Sequence, residues 1–103
     1  MLESARKTVR FAQGKSRSDL DADELLSLGL VRLIEIIGEA AKNVTDSTKL
    51  THPEIPWRQI AATRDRLIHA YSSIDLDIIW DIIKNDLPSL ISSLERVLAS
   101  NGT

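Results

Sequence analysis

The sequence of 103 residues contains no cysteine, which excludes disulfide bonds and thiolate catalysis. Aromatic residues make up only 4% of the chain, so a stacking groove for single-stranded nucleic acid is not indicated. No apolar run approaches the roughly 20 residues that a membrane span needs, and the N-terminus lacks the apolar segment of a signal peptide. These absences predict a protein of a bacterial or archaeal cytoplasm that does not engage a membrane.

A surplus of positive charge is also missing. The chain has 13 Lys and Arg against 15 Asp and Glu, for a net charge of −2 and a pI of about 5.6. This balance argues against a surface that coats nucleic acid broadly, but it leaves room for a small cleft with a local positive field. With 43% apolar and 27% charged residues, the chain has an ordinary globular composition, and its length predicts one domain over residues 1–103.

Apolar residues recur at helical spacing along most of the chain, and no stretch has a convincing strand pattern. We expect main helices over residues 1–13, 21–43 and 56–71, and a last one from about 75 to 98. Segment 44–55 is polar and loop-like, with space for one short helical turn. The pattern therefore predicts an all-α bundle of four main helices, with one extra short helix permitted.

Several residues mark the expected ends and irregularities of these helices. Asp21, with Glu24 three residues later, is predicted to cap the second helix. Pro56 fits the first position of the third helix, and Ser73 or Asp75 can cap the last one. Pro88 lacks an N–H group and should kink the last helix.

The second helix is apolar on more than one side, which predicts a central position or an interface. Gly29 and Gly38 inside it indicate close approach of another backbone. Glu35 and Glu39 are one turn apart, but no histidine follows at helical spacing, so a solvated or Arg-paired role is favoured over a metal site.

Three further groups of residues have simple interpretations. His52 precedes a proline in a polar stretch, which predicts an exposed bystander, whereas Trp57 is expected to anchor the core. The basic residues of the first helix, Arg6, Lys7 and Arg10, are interpreted as a solvated face in preference to an RNA contact.

The most chemically capable stretch is residues 64–71, which reads RDRLIHAY. On a helix, Ile60, Arg64, Leu67 and Tyr71 fall on one stripe, and Asp65 and His69 form a neighbouring i,i+4 pair. An imidazole can move a proton near neutrality, and a guanidinium can hold developing charge on a phosphate. Together they suit metal-free cleavage of a phosphodiester with a ribose 2′-hydroxyl as the attacking group. The plainer alternative is a solvated, self-paired helix face with a capping histidine.

The same stretch resembles the R-x4-H-x-Y motif of HepT-like HEPN toxins, through Arg64, His69 and Tyr71. Four further segments resemble that family in the same order: 36–42 (IIGEAAK), 55–57 (IPW), 74–80 (IDLDIIW) and 86–88 (DLP). Together these matches cover most of the chain. Asp65 stands where the family more often has Asn, and Ala70 where it often has Gly.

The resemblance implies a homodimeric HEPN-type helical bundle acting as a metal-independent ribonuclease toxin without a cofactor. Catalysis at the dimer interface would fall to Arg64 and His69, with Asp65 assisting and Arg66 as a supporting phosphate contact. The implied partner is an MntA-like nucleotidyltransferase antitoxin, which would transfer AMP onto Tyr71; the substrate would be RNA, either tRNA or mRNA. The alternative from another functional class is a non-catalytic nucleotide- or partner-binding module that regulates a nucleotidyltransferase.

Overall fold

The computed structural model describes residues 1–68 and 75–101, except for the side chains of Arg64, Asp65, Ile68, Ser100 and Asn101. Within these ranges the chain forms helices only. They are α1 (Leu2–Ala12), α2 (Arg17–Ala22), α3 (Glu24–Lys42), α4 (Asp46–Thr51), α5 (Trp57–Ile68), α6 (Leu76–Asp81) and α7 (Leu87–Asn101), with a π-helical turn (Ile82–Asp86) that joins α6 to α7. The expected all-α fold is confirmed, with α1, α3, α5 and the continuous α6–α7 rod as its four main helices.

The start of the long helix was placed wrongly by the sequence pattern. Asp21 does not cap it: the carboxylate of Asp23 accepts a hydrogen bond from the backbone N–H of Leu26 at 3.0 Å and caps α3 instead. Asp21 lies inside the short helix α2 and pairs with Arg17 at 3.0 Å. Asp21 and Asp23 both precede the apolar run of the long helix, so the sequence alone offers either carboxylate as its cap.

Helix α2 has its own N-terminal signal. The backbone N–H of Ser16 donates to the Asp19 carboxylate, which closes a capping box and lowers the pKa of Asp19. Before it, Gly14 adopts φ 77°, a left-handed conformation that glycine takes without a side-chain penalty. This glycine ends the turn after α1, so that α2 begins within a few residues of α1 and packs against α3.

The α6–α7 rod shows how the fold accommodates a proline within a helix. Asp75 caps α6 by accepting from the backbone N–H groups of Asp77 and Ile78, as predicted. Pro88 follows the π-helical turn directly and occupies the second residue of α7. Because proline cannot donate the usual backbone hydrogen bond, the wider π-helical turn before Pro88 allows the α6–α7 rod to continue through this position.

The core lies around α3, which packs against α5 on one side and α1 on another. Ile34 in the middle of α3 is 1% exposed. Other buried residues come from every main helix: Ala5, Ala12, Leu30, Ile37, Ile60, Leu67, Ile79, Ile83, Leu90 and Leu94. The central position predicted for this helix is therefore confirmed. None of the helices in the two described ranges combines the length and the apolar character needed to cross a bilayer.

Two smaller expectations are corrected. His52 is not an exposed bystander: its side chain is only 15% exposed, with Nδ1 at 3.5 Å from the Glu54 carboxylate. The indole N–H of Trp57 donates to the His52 carbonyl at 3.0 Å, which holds the loop against the start of α5. At Gly29 a Cβ atom would meet no atom of another element within 4 Å, so no backbone within the described chain approaches there.

Replacing Ile34 by Ala should lower the free energy of unfolding by about 2–5 kcal/mol, since it removes buried methyl groups and leaves a cavity. The control is Leu50→Ala in α4. Leu50 is 81% exposed, so its truncation should change stability by no more than about 0.5 kcal/mol. Urea denaturation followed by circular dichroism measures both values, and equal losses for the two variants would contradict the assigned core.

Candidate active site

Helix α5 carries the first part of the candidate catalytic motif. The backbones of Arg64 and Asp65 lie in its third turn, and Arg66 next to them is exposed. The side chains of Arg64 and Asp65, and the whole of His69 and Tyr71, lie outside the described residues. The catalytic arrangement of these four residues stays a prediction.

The apolar stripe predicted for α5 has two described members, and both are buried. Ile60 is 8% exposed and Leu67 is 1% exposed. Position 64 falls between them at helical spacing, four residues after Ile60 and three before Leu67. These two anchors fix α5 on α3 and thereby fix the backbone from which the motif extends.

A second face of α5 lines a groove of about 620 Å³ between this helix and the α6–α7 rod. Gln59, Thr63 and Arg66 contribute one wall, at the 3–4 residue spacing of a helix face. The opposite wall comes from the π-helical turn and its neighbours, and it contains Asp81, Asn85, Asp86, Ser89 and Ser93. Its floor consists of buried aliphatic side chains such as Ile34 and Leu90, which leaves a polar rim over an apolar base.

The charges around this groove are unequal. Arg66 is the only cationic side chain among its described lining residues, which also include the carboxylates of Glu54, Asp81 and Asp86. The Asp81 carboxylate accepts a hydrogen bond from the side-chain amide of Asn85, one turn later. Sequence reasoning missed this wall because no local signal brings the π-helical turn next to α5. A phosphate group that entered this groove would therefore face one guanidinium and three carboxylates.

The start of α6 is anchored by an ion pair with α2. Arg17 of α2 donates through Nε to the Asp77 carboxylate at 2.7 Å, and through Nη1 to Asp21 at 3.0 Å. The hydrogen bond to Asp77 is the largest cause of the raised pKa of Arg17. Asp77 lies in the first turn of α6, so this pair ties the chain that follows residues 69–74 to α2. The i,i+4 spacing of Arg17 and Asp21 could have predicted their ion pair from the sequence, but no such spacing indicates the pair with Asp77.

Acidic side chains and one histidine, His52, lie in the described part of the chain. Among those residues there is no group of three or more His, Asp or Glu side chains that could hold a metal ion. Glu35 pairs with Arg32 at 3.6 Å, in line with the Arg-paired role expected of it. The motif has an arginine in α5 and a histidine at the position that follows the last described residue of that helix. These two residue types suit acid–base catalysis with stabilisation of charge on a phosphate.

Comparison with known proteins adds independent information. The family model described as "Ribonuclease HepT-like" matches residues 1–97. A protein of Thermococcus cleftensis named "Probable ribonuclease HepT" is 44% identical over 79 residues, which cover 77% of this chain and 72% of that protein.

Two further relatives match over nearly the whole chain, and both carry the name "Putative RNase". The one from Caldanaerobacter subterraneus subsp. tengcongensis is 35% identical over 95% of this chain and 88% of its own length. The one from Methanocaldococcus jannaschii is 33% identical over 95% of this chain and 81% of its own length. No solved structure matches the chain.

Proposed function

Because the chain belongs to the HepT-like ribonuclease family, we propose that it is a metal-independent endoribonuclease and the toxin of a toxin–antitoxin pair. The observation that carries this proposal is the family match over residues 1–97, which includes the complete motif from Arg64 to Tyr71. The names of the relatives support an RNA substrate. In this proposal residues 1–103 act as one HEPN-like domain in the cytoplasm, where RNA is available.

The proposed reaction is transfer of the phosphodiester to the neighbouring ribose oxygen. His69 takes the proton of the 2′-hydroxyl, the bond from O2′ to phosphorus forms, and the bond from phosphorus to O5′ breaks. The leaving oxygen takes up a proton, which gives a 5′-hydroxyl end and a 2′,3′-cyclic phosphate. Arg64 stabilises the charge that builds on the phosphoryl oxygens, and Asp65 assists. Arg66, exposed on the same helix, supplies a supporting phosphate contact.

We propose that the active unit is a homodimer, with the motif helices near the two-fold axis. Support comes from the outward face of α3, where Leu25 and Leu28 are 82% and 54% exposed. Gly29 lies beside Leu28, with open space where a side chain would be. A second copy that covers this face would remove apolar surface from water and accept close approach at the glycine.

The proposed control is modification of Tyr71 by an MntA-like nucleotidyltransferase. Transfer of AMP from ATP would add about one negative charge and a bulky nucleoside to the motif. The added phosphate would pair with Arg64 and occupy the place of the RNA phosphate. The modification would thus silence the enzyme at the residues that perform its chemistry.

A second function, regulation of a nucleotidyltransferase without catalysis, is favoured by one observation. The groove beside α5 holds three carboxylates to one arginine among its described lining residues, which disfavours a polyanion and suits a protein partner with basic side chains. Under this alternative Arg64 would hold a nucleotide phosphate, and its loss would weaken nucleotide or partner binding.

The deciding experiment incubates the purified, unmodified protein with labelled RNA in the presence of EDTA. We expect cleavage that persists in the chelator, with 2′,3′-cyclic phosphate or 3′-phosphate ends and 5′-hydroxyl ends. Analysis of both ends distinguishes this chemistry from that of a metal-dependent contaminant, which leaves other termini. The proposal fails if the purified protein cuts no RNA and the His69→Ala variant has the same effect in cells as the wild type.

A further inference from the structure

Positive charge is concentrated at one end of the sequence although the chain as a whole is acidic. Residues 1–17 contain five Lys or Arg and one acidic residue, Glu3, and so carry a charge of +4. Since the whole chain carries −2, residues 18–103 carry −6. At physiological salt, charges act over about 8 Å, so a ligand close to α1 experiences the local cations more strongly than the distant carboxylates.

The cations of α1 share its outward side with an exposed aromatic residue. Arg6, Lys7, Arg10 and Phe11 face away from the core, whereas Ala5 and Ala12 are buried against it. Phe11 is 49% exposed, and the Arg10 guanidinium lies over its ring at 5.4 Å from the centroid. Lys15 stays close to this end because its backbone N–H donates to the carbonyl of Ala12 at 3.0 Å. We call Arg6, Lys7, Arg10, Phe11 and Lys15 the basic face.

The ion pairs of this region leave two of its cations available. Arg6 pairs with Glu95 at 3.6 Å and Lys7 with Glu3 at 3.7 Å, both at the surface. Arg17 is engaged by two carboxylates and lies outside the basic face. By contrast, neither Arg10 nor Lys15 has a carboxylate within 4 Å in the described part of the chain. Lys15 does lie near Asp19, whose pKa is lowered by hydrogen bonds from Ser16 and, to a smaller extent, by this lysine. An exposed aromatic ring beneath an arginine, with a lysine in the turn that follows the same helix, can hold a base and its flanking phosphates.

We propose that the basic face is an RNA-docking site, separate from the motif on α5, which binds single-stranded RNA through phosphate contacts of Arg10 and Lys15 and stacking of one base on Phe11. This inference takes its ligand from the proposed ribonuclease function. Helix α1 packs on α3, the π-helical turn and α7, and none of its residues lines the groove beside α5, so the site is distinct from that groove. The sequence alone favours a solvated face for Arg6, Lys7 and Arg10, and the exposed Phe11 ring under the Arg10 guanidinium is the observation that favours RNA instead.

Other occupants fit this face less well. A helix that lies in a membrane needs a free apolar side, and the apolar side of α1 is already packed against the core through Leu2, Ala5, Val9 and Ala12. A protein interface of standard size has an apolar centre, whereas Phe11 is the only large hydrophobic residue of α1 that stands exposed. The combination of cations around a single ring is the one that suits a nucleotide strand.

The test measures binding of a labelled single-stranded RNA to full-length His69→Ala protein, in which proposed cleavage is blocked, at several salt concentrations. Adding Arg10→Gln and Lys15→Gln should reduce the slope of log K against log salt by about 1.4, since each phosphate contact on a single strand contributes about 0.7. Adding Phe11→Ala instead should weaken binding about tenfold without changing the slope.

The control adds Lys42→Gln and Lys49→Gln, which remove two cations that likewise form no ion pair in the described ranges and lie at the end of α3 and in α4. This variant should keep the parent slope. Thermal unfolding of each variant excludes a change of fold as the cause. Equal slopes for the two double variants, or the absence of RNA binding, overturn the docking site. So does binding to anionic vesicles that depends on Arg10 and Lys15 while RNA binding does not.

The proposed docking site and the proposed ribonuclease activity can be contradicted by different results. If wild-type protein cuts no RNA but the slope still depends on Arg10 and Lys15, the docking site stands and the proposed catalysis falls. If wild-type protein cuts RNA and the two double variants have equal slopes, the catalysis stands and the docking site falls.

Discussion

Replacing His69 by Ala should lower the rate of RNA cleavage by about 10²–10⁴-fold, the usual contribution of a positioned general acid or base. The proposed reaction has no metal ion to activate the 2′-hydroxyl, so no other group would take over the proton transfer. Single-turnover cleavage of a labelled RNA by purified variants measures this effect. The loss should appear in the rate of the chemical step and leave RNA binding within a few-fold of wild type.

The chain provides matched controls for this experiment. It has only two histidines, and His52 is held in the loop before α5 beside Glu54. His52→Ala should therefore retain most of the cleavage activity. If both histidine variants lose activity equally, the cause is loss of folding, and the assignment of His69 as the catalytic base is not supported.

The two arginines of the motif, Arg64 and Arg66, are expected to differ in their effects on cleavage. Arg64→Ala should cost about 10²–10³-fold, because the charge that develops on the phosphate loses its counter-charge. Arg66→Ala should cost less and mainly weaken RNA binding, since this exposed residue lines the groove with Gln59 and Thr63. A larger loss at Arg66 than at Arg64 would move the catalytic site into the groove.

The main helices could be predicted from the sequence because each has a periodic apolar side. Short-range signals were less reliable. Asp21 and Asp23 both precede the long helix, and only the packing of α2 against α3 decides that Asp23 caps it. Helix α2 itself was missed, although Ser16 and Asp19 provide a capping box with Asp in place of the usual Glu.

The surroundings of the candidate site depend on long-range packing, which the sequence does not reveal. Pro88 indicated an irregular helix, but the π-helical turn that precedes it and forms a wall of the groove was not predicted. The contact of Arg17 with Asp77 joins residues 60 positions apart. His52 was predicted to be exposed from its polar neighbours, whereas its side chain is largely buried beside Glu54 and its carbonyl accepts a hydrogen bond from the Trp57 indole. Local composition thus identified the motif but not the groups around it.

Co-expression with an MntA-like nucleotidyltransferase should convert the protein to an inactive form that is heavier by whole AMP units. In the proposed step the phenol oxygen of Tyr71 attacks the α-phosphorus of ATP, pyrophosphate leaves, and the phenol proton is released. Because the added phosphate would pair with Arg64, the loss of cleavage should be similar to that of Arg64→Ala, about 10²–10³-fold. Intact mass and RNA cleavage are measured on the same sample.

The composition of the chain makes this result easy to interpret, since Tyr71 is its only tyrosine. Tyr71→Phe should keep its mass on co-expression, continue to cleave RNA and escape neutralisation, because the ring remains while the acceptor oxygen is lost. A mass increase on Tyr71→Phe would assign the modification to another residue. If the wild type gains AMP but cleaves RNA at an undiminished rate, the modification does not reach the catalytic groups, and control must act through binding of the partner instead.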